Sequence, residues 1–154
     1  HYPLRRQRQM CIRDSPGLEV NIVGTAYEHL CQALMGGSVV MLGLFRGYDG
    51  ILHRMDSPYK GAKILAGASA GEVIFYDPNG RLEEAQYKGC VVHLIDDKKW
   101  TEIVGRLISL ENIFNLGISK ENDQITLRID GHLETMTPEH FRWIIPRGEL
   151  EGYH

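Results

Sequence analysis

Short apolar runs rich in β-branched residues recur along the first part of the chain, and most of them end in glycine. The runs Val20–Gly24, Val39–Gly43 and Lys63–Gly67 share this pattern, and Val91–Ile95 is a degraded fourth copy. Runs of this length and composition predict β-strands. Glycine at the end of a run indicates a sharp corner, because a residue with a Cβ would be strained there.

The spacing of these runs predicts a repeat architecture. Their terminal glycines are 19 residues apart between Gly24 and Gly43, and 24 residues apart between Gly43 and Gly67. A strand–turn unit of about 20 residues is typical of solenoids, in which each unit buries its apolar face by stacking on its neighbours. We therefore predict stacked coils over residues 16–95. Eight glycines are assigned to structural turns of these coils: Gly24, Gly36, Gly37, Gly43, Gly61, Gly67, Gly71 and Gly89.

The apolar positions change period after residue 96 and predict an amphipathic helix over 97–115. Trp100, Ile103 and Leu107 share one helical face, and an aspartate at position 96 or 97 can cap the helix. A stack of coils ends in an exposed strand edge, which invites pairing with other chains. We expect the face formed by Trp100, Ile103 and Leu107 to lie on the last coil, so that residues 96–154 form a capping helix and a C-terminal tail.

Three shorter signals complete the predicted elements. Asp77–Gly80 is a turn sequence, because proline fixes φ and Asn-Gly favours positive φ. Ile125–Ile129 alternates apolar and polar positions and predicts a strand. Phe141–Pro146 is predicted to be extended, so two short strands follow the helix.

The first fifteen residues differ from the rest of the chain. They carry four arginines without an apolar period, and we interpret residues 1–15 as a non-native or disordered leader that looks like a translated adaptor. A native basic arm that binds nucleic acid is the alternative. Without this segment the net charge falls from −3 to −6, and such an acidic body argues against nucleic-acid binding.

The composition favours a single domain with a buried core, since 43% of the 154 residues are hydrophobic. No apolar stretch approaches the roughly 18–20 residues that cross a bilayer. The three cysteines, Cys11, Cys31 and Cys90, are too widely spaced for a disulfide framework and suit a reducing compartment. The histidines lack the spacing of metal ligands. We therefore expect a cytoplasmic protein with neither a metal site nor a membrane partner.

Several segments resemble the GXGXG domain, which forms the C-terminal part of the large subunit of glutamate synthase and occurs in stand-alone glutamate-synthase-like subunits. The resemblance extends from about Val20 to Pro146. The segments that carry it are Tyr27–Gly37, Met55–Ala66, Ala68–Gly71, Tyr76–Pro78, Glu83–Glu84 and Trp100. The sequence departs from the pattern at Tyr27 and Cys31, where such coils more often carry glycine.

This resemblance implies an all-β fold, a right-handed parallel β-helix (a single-stranded solenoid) with the C-terminal helix and short strands as its cap. It also implies a structural role, because that domain carries no catalytic residue and holds the other parts of the enzyme in register. The expected partners are glutamine amidotransferase and FMN-binding glutamate-synthase-like domains or subunits. FMN and iron–sulfur clusters would belong to those partners, and this chain would bind no cofactor and have no activity by itself.

Two alternatives remain open at this stage. The first is the equivalent β-helix subunit of a formylmethanofuran-dehydrogenase-type complex. The second is a serine hydrolase, because Gly67–Gly71 matches the G-x-S-x-G pattern in which Ser69 would be the nucleophile. Only about fifty residues separate Ser69 from the leader, which is too few for most of a hydrolase sheet, so a glycine-rich corner is favoured. The possible partners of Ser69 in a triad are Asp96, Asp97, Asp130, His132 and His140.

Overall fold

Ten strands and one α-helix make up the regular structure of the described residues. The computed structural model describes residues 19–24, 37–59, 64 and 70–146. The strands are β1 (Glu19–Ile22), β2 (Ser38–Met41), β3 (Leu44–Arg46), β4 (Leu52–Arg54), β5 (Glu72–Tyr76), β6 (Cys90–His93), β7 (Ser119–Glu121), β8 (Gln124–Ile129), β9 (His132–Met136) and β10 (Phe141–Pro146). The α-helix, α1, is Asp97–Phe114, and short 3₁₀ helices cover Glu84–Tyr87 and Pro138–His140.

The central sheet has five strands in the order β1-β2-β5-β10-β6. Strand β2 lies between β1 and β5 and is parallel to both, with Val39 opposite Val20 on one side and Val73 on the other. Strand β10 is antiparallel to β5 and β6, with Trp143 opposite Ile74 and His93. The sheet is therefore mixed: its first three strands are parallel and its last two pairings are antiparallel.

A hairpin and a three-stranded antiparallel sheet complete the β structure of the described residues. Strands β3 and β4 form the hairpin, in which Phe45 lies opposite His53. Strands β7, β8 and β9 form a meander, and the turn between β8 and β9 contains Asp130. The backbone N–H of Asp130 donates to the carbonyl of Leu52 at 2.8 Å, which joins the hairpin to this turn.

The helix α1 begins and ends with well-defined caps. The side chain of Asp96 accepts a hydrogen bond from the backbone N–H of Lys99 at 2.8 Å, as an N-cap residue does. Asn115 ends the helix in the left-handed conformation, with φ at 53°, and its N–H donates to the carbonyl of Glu111. Ile103 and Leu107 are fully buried, so the predicted apolar face is the face that packs.

Both faces of the central sheet are buried at β2 and β5, whereas the edge strand β6 has no buried residue. Val40 and Ile74 pack with α1 and the three-stranded sheet, whereas Val39 and Val73 pack on the opposite face with Tyr59. Side chains alternate between the faces of a strand, so a strand buried on both sides carries a continuous apolar run. This explains why β2 carries the continuous apolar run Val39–Met41 without polar alternation.

The predicted parallel β-helix is wrong. The described strands form three separate sheets, five of the seven strand pairings are antiparallel, and no sheet is curled into coils. Strands β1 and β2 do pair with an offset of 19 residues, Val20 to Val39, which equals the step between their glycines. However, the other neighbour of Val39 is Val73, 34 residues further on, and the antiparallel β10 ends the parallel stack.

The role predicted for the helix is corrected as well. Helix α1 is present at Asp97–Phe114, but Ile103 and Leu107 pack against a face of the mixed sheet rather than the end of a coil. Trp100 is partly buried against the same cluster. The predicted turn at Asp77–Gly80 is confirmed, with the N–H of Gly80 donating to the carbonyl of Asp77.

Candidate functional site

The residues assigned from the sequence are only partly within the described chain. Ser69 lies outside the described residues, as do three of the turn glycines, Gly36, Gly61 and Gly67. Among the other assigned glycines, Gly43, Gly71 and Gly89 adopt positive φ, whereas Gly24 does not. Glycine is required at position 43 for two reasons. Its φ is +67°, and an added Cβ would lie 2.8 Å from Cα of Pro58.

A buried ion pair joins the helix to the central sheet. Glu72 is the first residue of β5, and Lys99 lies in the first turn of α1. Nζ of Lys99 contacts both carboxylate oxygens of Glu72, at 2.7 and 2.8 Å, and the two side chains are only 9% and 16% exposed. A second carboxylate, that of the half-exposed Glu102, lies 2.7 Å from the same ammonium group.

Neighbouring groups occupy the remaining hydrogen-bonding positions of Glu72. Nε1 of Trp143 donates to one oxygen at 2.8 Å, and Oγ of Ser38 donates to the other at 2.7 Å. The ammonium of Lys99 also lies 4.4 Å from the centre of the Trp143 ring, which is a cation–π distance. The ring of His93 contacts the indole in a tilted arrangement, with ring centroids 4.3 Å apart.

Arg106 extends this cluster along α1 to the first two strands. Its Nε donates to Oδ1 of Asn21 at 2.8 Å, and Nη2 donates to the carbonyls of Val20 and Ser38 at 2.9 and 3.1 Å. Nη1 donates to Oγ of Ser38, which connects Arg106 to Glu72. Burial lowers the pKa of Arg106, while three glutamates, Glu72 among them, oppose this effect. An arginine guanidinium remains charged despite such a shift.

A second polar cluster links the hairpin, the central sheet and the three-stranded sheet. The guanidinium of Arg54 pairs with the carboxylate of Glu134 and lies over the ring of Tyr76, 5.6 Å from its centre. The hydroxyl of Tyr76 donates to Glu134 at 3.2 Å. Burial, reinforced by the charge of Glu134, raises the pKa of Tyr76 to about 12. This phenol therefore stays protonated at neutral pH.

A third cluster places one histidine between two carboxylates. Nδ1 of His53 lies 2.7 Å from Oδ1 of Asp130, and Nε2 lies 3.2 Å from Oδ2 of Asp49. The hydrogen bond with Asp130 raises the pKa of His53, burial opposes it, and Asp49 adds to the increase. The pKa of Asp49 is lowered, first by the hydrogen bond from the backbone of Ile51 and also by His53.

Three of the residues considered as triad partners of Ser69, namely Asp96, Asp130 and His140, make other contacts. Asp130 pairs with His53 rather than with His132 or His140. Nδ1 of His140 lies 3.4 Å from the backbone nitrogen of Thr137, and Asp96 caps α1. A triad histidine needs its second nitrogen free to take a proton from serine. In His53 the second nitrogen faces Asp49, so it is not available to take a proton from a serine.

Among the described residues, the cavities and the arrangement of possible metal ligands identify no further functional site. A surface cavity of about 380 Å³ lies beside β6 and is lined by Glu84, Ala85, Tyr87, Lys88, Gly89 and Cys90. The thiol of Cys90 donates to the carbonyl of Ile64 at 3.4 Å. Within the described ranges, no three His, Cys, Asp or Glu side chains are placed to hold a metal ion. In the same part of the chain, no helix combines the length and apolarity of a membrane span.

Comparison of the chain with protein-family models, curated proteins and solved structures gives no match. Interpretation of the site therefore depends on the geometry of its own residues. Sequence analysis assigned no role to Glu72, Lys99 or Arg106. The sequence of α1 did contain a signal for two of them. Lys99 and Arg106 share a helical face with the apolar residues Ile103 and Leu110. Charged side chains on an apolar face indicate buried partners.

Proposed function

We propose that this chain is a non-catalytic scaffold module of a glutamate-synthase-like oxidoreductase and amidotransferase assembly in the cytoplasm. The assignment to this class comes from the sequence segments that resemble the GXGXG domain. It does not carry over the β-helix, and the module would act through the mixed sheet and its helix. FMN and iron–sulfur clusters would be bound by the partner domains or subunits.

The observation that carries the scaffold role is the closed cluster around Glu72. A catalytic acid or base must reach its substrate with an unoccupied hydrogen-bonding position. Each carboxylate oxygen of Glu72 already accepts two hydrogen bonds, from Lys99 and from either Trp143 or Ser38. Such an arrangement fixes the helix against the sheet, which suits a part that holds other domains in place.

The surface of the hairpin supports a role in protein contact. Phe45, Tyr48 and Ile51 are exposed large apolar residues within one β-hairpin. Exposed apolar side chains that cluster in this way are typical of protein–protein contact sites. Aromatic residues in particular contribute strongly to binding at such sites. We assign this face to contact with the amidotransferase or FMN-binding partner.

Co-purification with these partners tests the proposal. The chain is expressed together with a glutamine amidotransferase protein and an FMN-binding glutamate-synthase-like protein from the same genome, and their association is measured by size-exclusion chromatography with light scattering. The double variant F45S/Y48S should lose the complex. Leu94→Ser, which changes an exposed apolar residue next to β6, is the matched control and should retain it.

Three outcomes would overturn the proposal. The first is the absence of any complex between the wild-type chain and these partners. The second is association with formylmethanofuran-dehydrogenase subunits instead, which would move the chain to that class of assembly. The third is covalent labelling of Ser69 by a fluorophosphonate probe, because a serine without an activating base should not react.

A further inference from the structure

Three separate segments meet at the imidazole ring of His53. The ring belongs to β4, Asp49 belongs to the loop between β3 and β4, and Asp130 belongs to the turn between β8 and β9. The side chain of His53 is 28% exposed, and Phe45 on the paired strand lies against it with ring centroids 5.4 Å apart. His53 thus adds a titratable contact between the hairpin and the three-stranded sheet, which are also joined by the backbone hydrogen bond from Asp130 to Leu52 and by the Arg54–Glu134 ion pair.

The protonation state of this ring follows from its hydrogen-bond partners. An ionised carboxylate only accepts hydrogen bonds, whereas a neutral imidazole has one donor nitrogen and one acceptor nitrogen. Both nitrogens of His53 face carboxylates, at 2.7 Å from Asp130 and 3.2 Å from Asp49. A neutral ring would therefore leave a lone pair pointing at one carboxylate, and only the imidazolium satisfies both.

We propose that Asp49, His53 and Asp130 form a proton-dependent clamp that holds the β3–β4 hairpin and its loop against the β8–β9 turn. The charged groups facing His53 are Asp49 from the loop and Asp130 from the turn, and β3 contributes the uncharged ring of Phe45. The proposal concerns the hairpin itself and does not depend on the proposed scaffold function.

The loop is the part that loosens when the clamp loses its proton. The shorter contact, with Asp130, needs only the Nδ1 proton, so a neutral ring keeps it and loses the contact with Asp49. An added Cβ at Gly47 would lie 2.8 Å from Asp49 and 2.9 Å from the ring, so the loop backbone packs closely on the clamp. Arg46 still ties the loop to the end of α1 through the carbonyls of Gly50 and Asn115.

The pH range of the switch follows from the direction of the shift. The pKa of His53 is raised above its ordinary value of 6.5 by the folded structure, with Asp130 as the main cause. A cation stabilised in this way contributes fully to stability below 6.5, and the contribution is lost as pH rises through the raised pKa. The hairpin loop should therefore be closed under acidic conditions and loosen on the alkaline side of this value.

An NMR titration of the wild-type chain tests the clamp. The Cε1–H resonance of His53 gives its pKa, and amide exchange gives the protection factors of Gly47 and Ile51, whose N–H groups bond to Ile51 and Asp49. We expect a pKa above 6.5 and a several-fold loss of protection at these two amides as His53 deprotonates. A midpoint at or below 6.5, or protection factors that do not change across the titration, would overturn the clamp.

Two charge-removing variants and one control assign the effect to the clamp. Asp130→Asn and Asp49→Asn should each lower the pKa of His53, the former by more, since its hydrogen bond is the larger cause. His132→Gln removes an exposed histidine beside the same turn and should leave the pKa of His53 and loop protection unchanged. An equal response in the His132 variant, or no response in either aspartate variant, would contradict the proposal.

Discussion

Lys99 contacts Glu72 across the junction between the helix and the central sheet, with its ammonium 2.7 and 2.8 Å from the two carboxylate oxygens. The residues are 27 positions apart in sequence, and both side chains are largely withdrawn from water. Removing two charges from water is costly, and the cost is recovered only when both are paired and hydrogen-bonded. The indole of Trp143 and the hydroxyl of Ser38 supply those further bonds to Glu72.

The substitution Glu72→Gln should destabilise the protein substantially. It removes the charge while preserving the shape of the side chain, and among the described residues it leaves the buried Lys99 with the half-exposed Glu102 as its only carboxylate partner. The expected loss in the free energy of unfolding is about 3 kcal/mol, the scale of breaking a buried pair. Urea unfolding followed by tryptophan fluorescence measures this loss.

Glu102→Gln is the matched control, because it removes the other carboxylate that contacts Lys99. Glu102 is much more exposed, so its loss should cost less than about 1 kcal/mol. Equal losses for Glu72→Gln and Glu102→Gln would show that burial does not distinguish the two contacts.

The helix and five of the ten described strands were predictable because their signals are local, namely β1, β2, β6, β8 and β10, whereas the other five strands were not predicted. Spacing of Trp100, Ile103 and Leu107 indicates one helical face, and the helix begins after Asp96, within the predicted range. The pairing of the strands was not predictable from local signals. Val39 lies between Val20 and Val73, and a β-branched run presents the same pattern whichever strand becomes its neighbour. The repeat suggested the wrong second partner for this reason.

The polar clusters were harder to predict than the strands. His53 and Asp130 are 77 residues apart, so their contact appears in no sequence spacing. It depends on how the hairpin packs against the three-stranded sheet. The buried contact of Lys99 was partly predictable from the sequence. A lysine on an apolar helical face indicates a buried acceptor, but the pattern does not identify Glu72 as that acceptor.

Gly43→Ala should destabilise the junction between β2 and β3 by about 2–4 kcal/mol, because it combines a left-handed backbone with a steric clash. The glycine has φ at +67°, and an added Cβ would lie 2.8 Å from Cα of Pro58, a backbone atom that cannot easily move away. Thermal and urea unfolding measure the change.

Gly80→Ala separates the two causes. Gly80 has a similar φ of +63°, but nothing lies within 4 Å of the position of its Cβ. Its substitution should cost about 1–2 kcal/mol, the conformational part alone. If Gly43→Ala cost no more than Gly80→Ala, the close approach of Pro58 would have no energetic consequence.

Ionisation of Tyr76 should lower the free energy of unfolding as pH rises above 10.0. Burial raises the pKa of its phenol from 10.0 to about 12, the charge of Glu134 adds to the increase, and Arg54 opposes it. A phenol that ionises less readily when folded contributes fully to stability below the unfolded pKa of 10.0, and the contribution is lost as pH rises through about 12. Urea unfolding at several pH values in this interval measures the decline.

Comparison with Tyr76→Phe isolates this group from the other tyrosines. The ultraviolet absorbance of phenolate, recorded against pH, should lose its most alkaline step in this variant, and stability should fall less steeply between pH 10.0 and about 12. Tyr48→Phe removes an exposed phenol and is the matched control. Persistence of the most alkaline step in Tyr76→Phe would contradict the assignment.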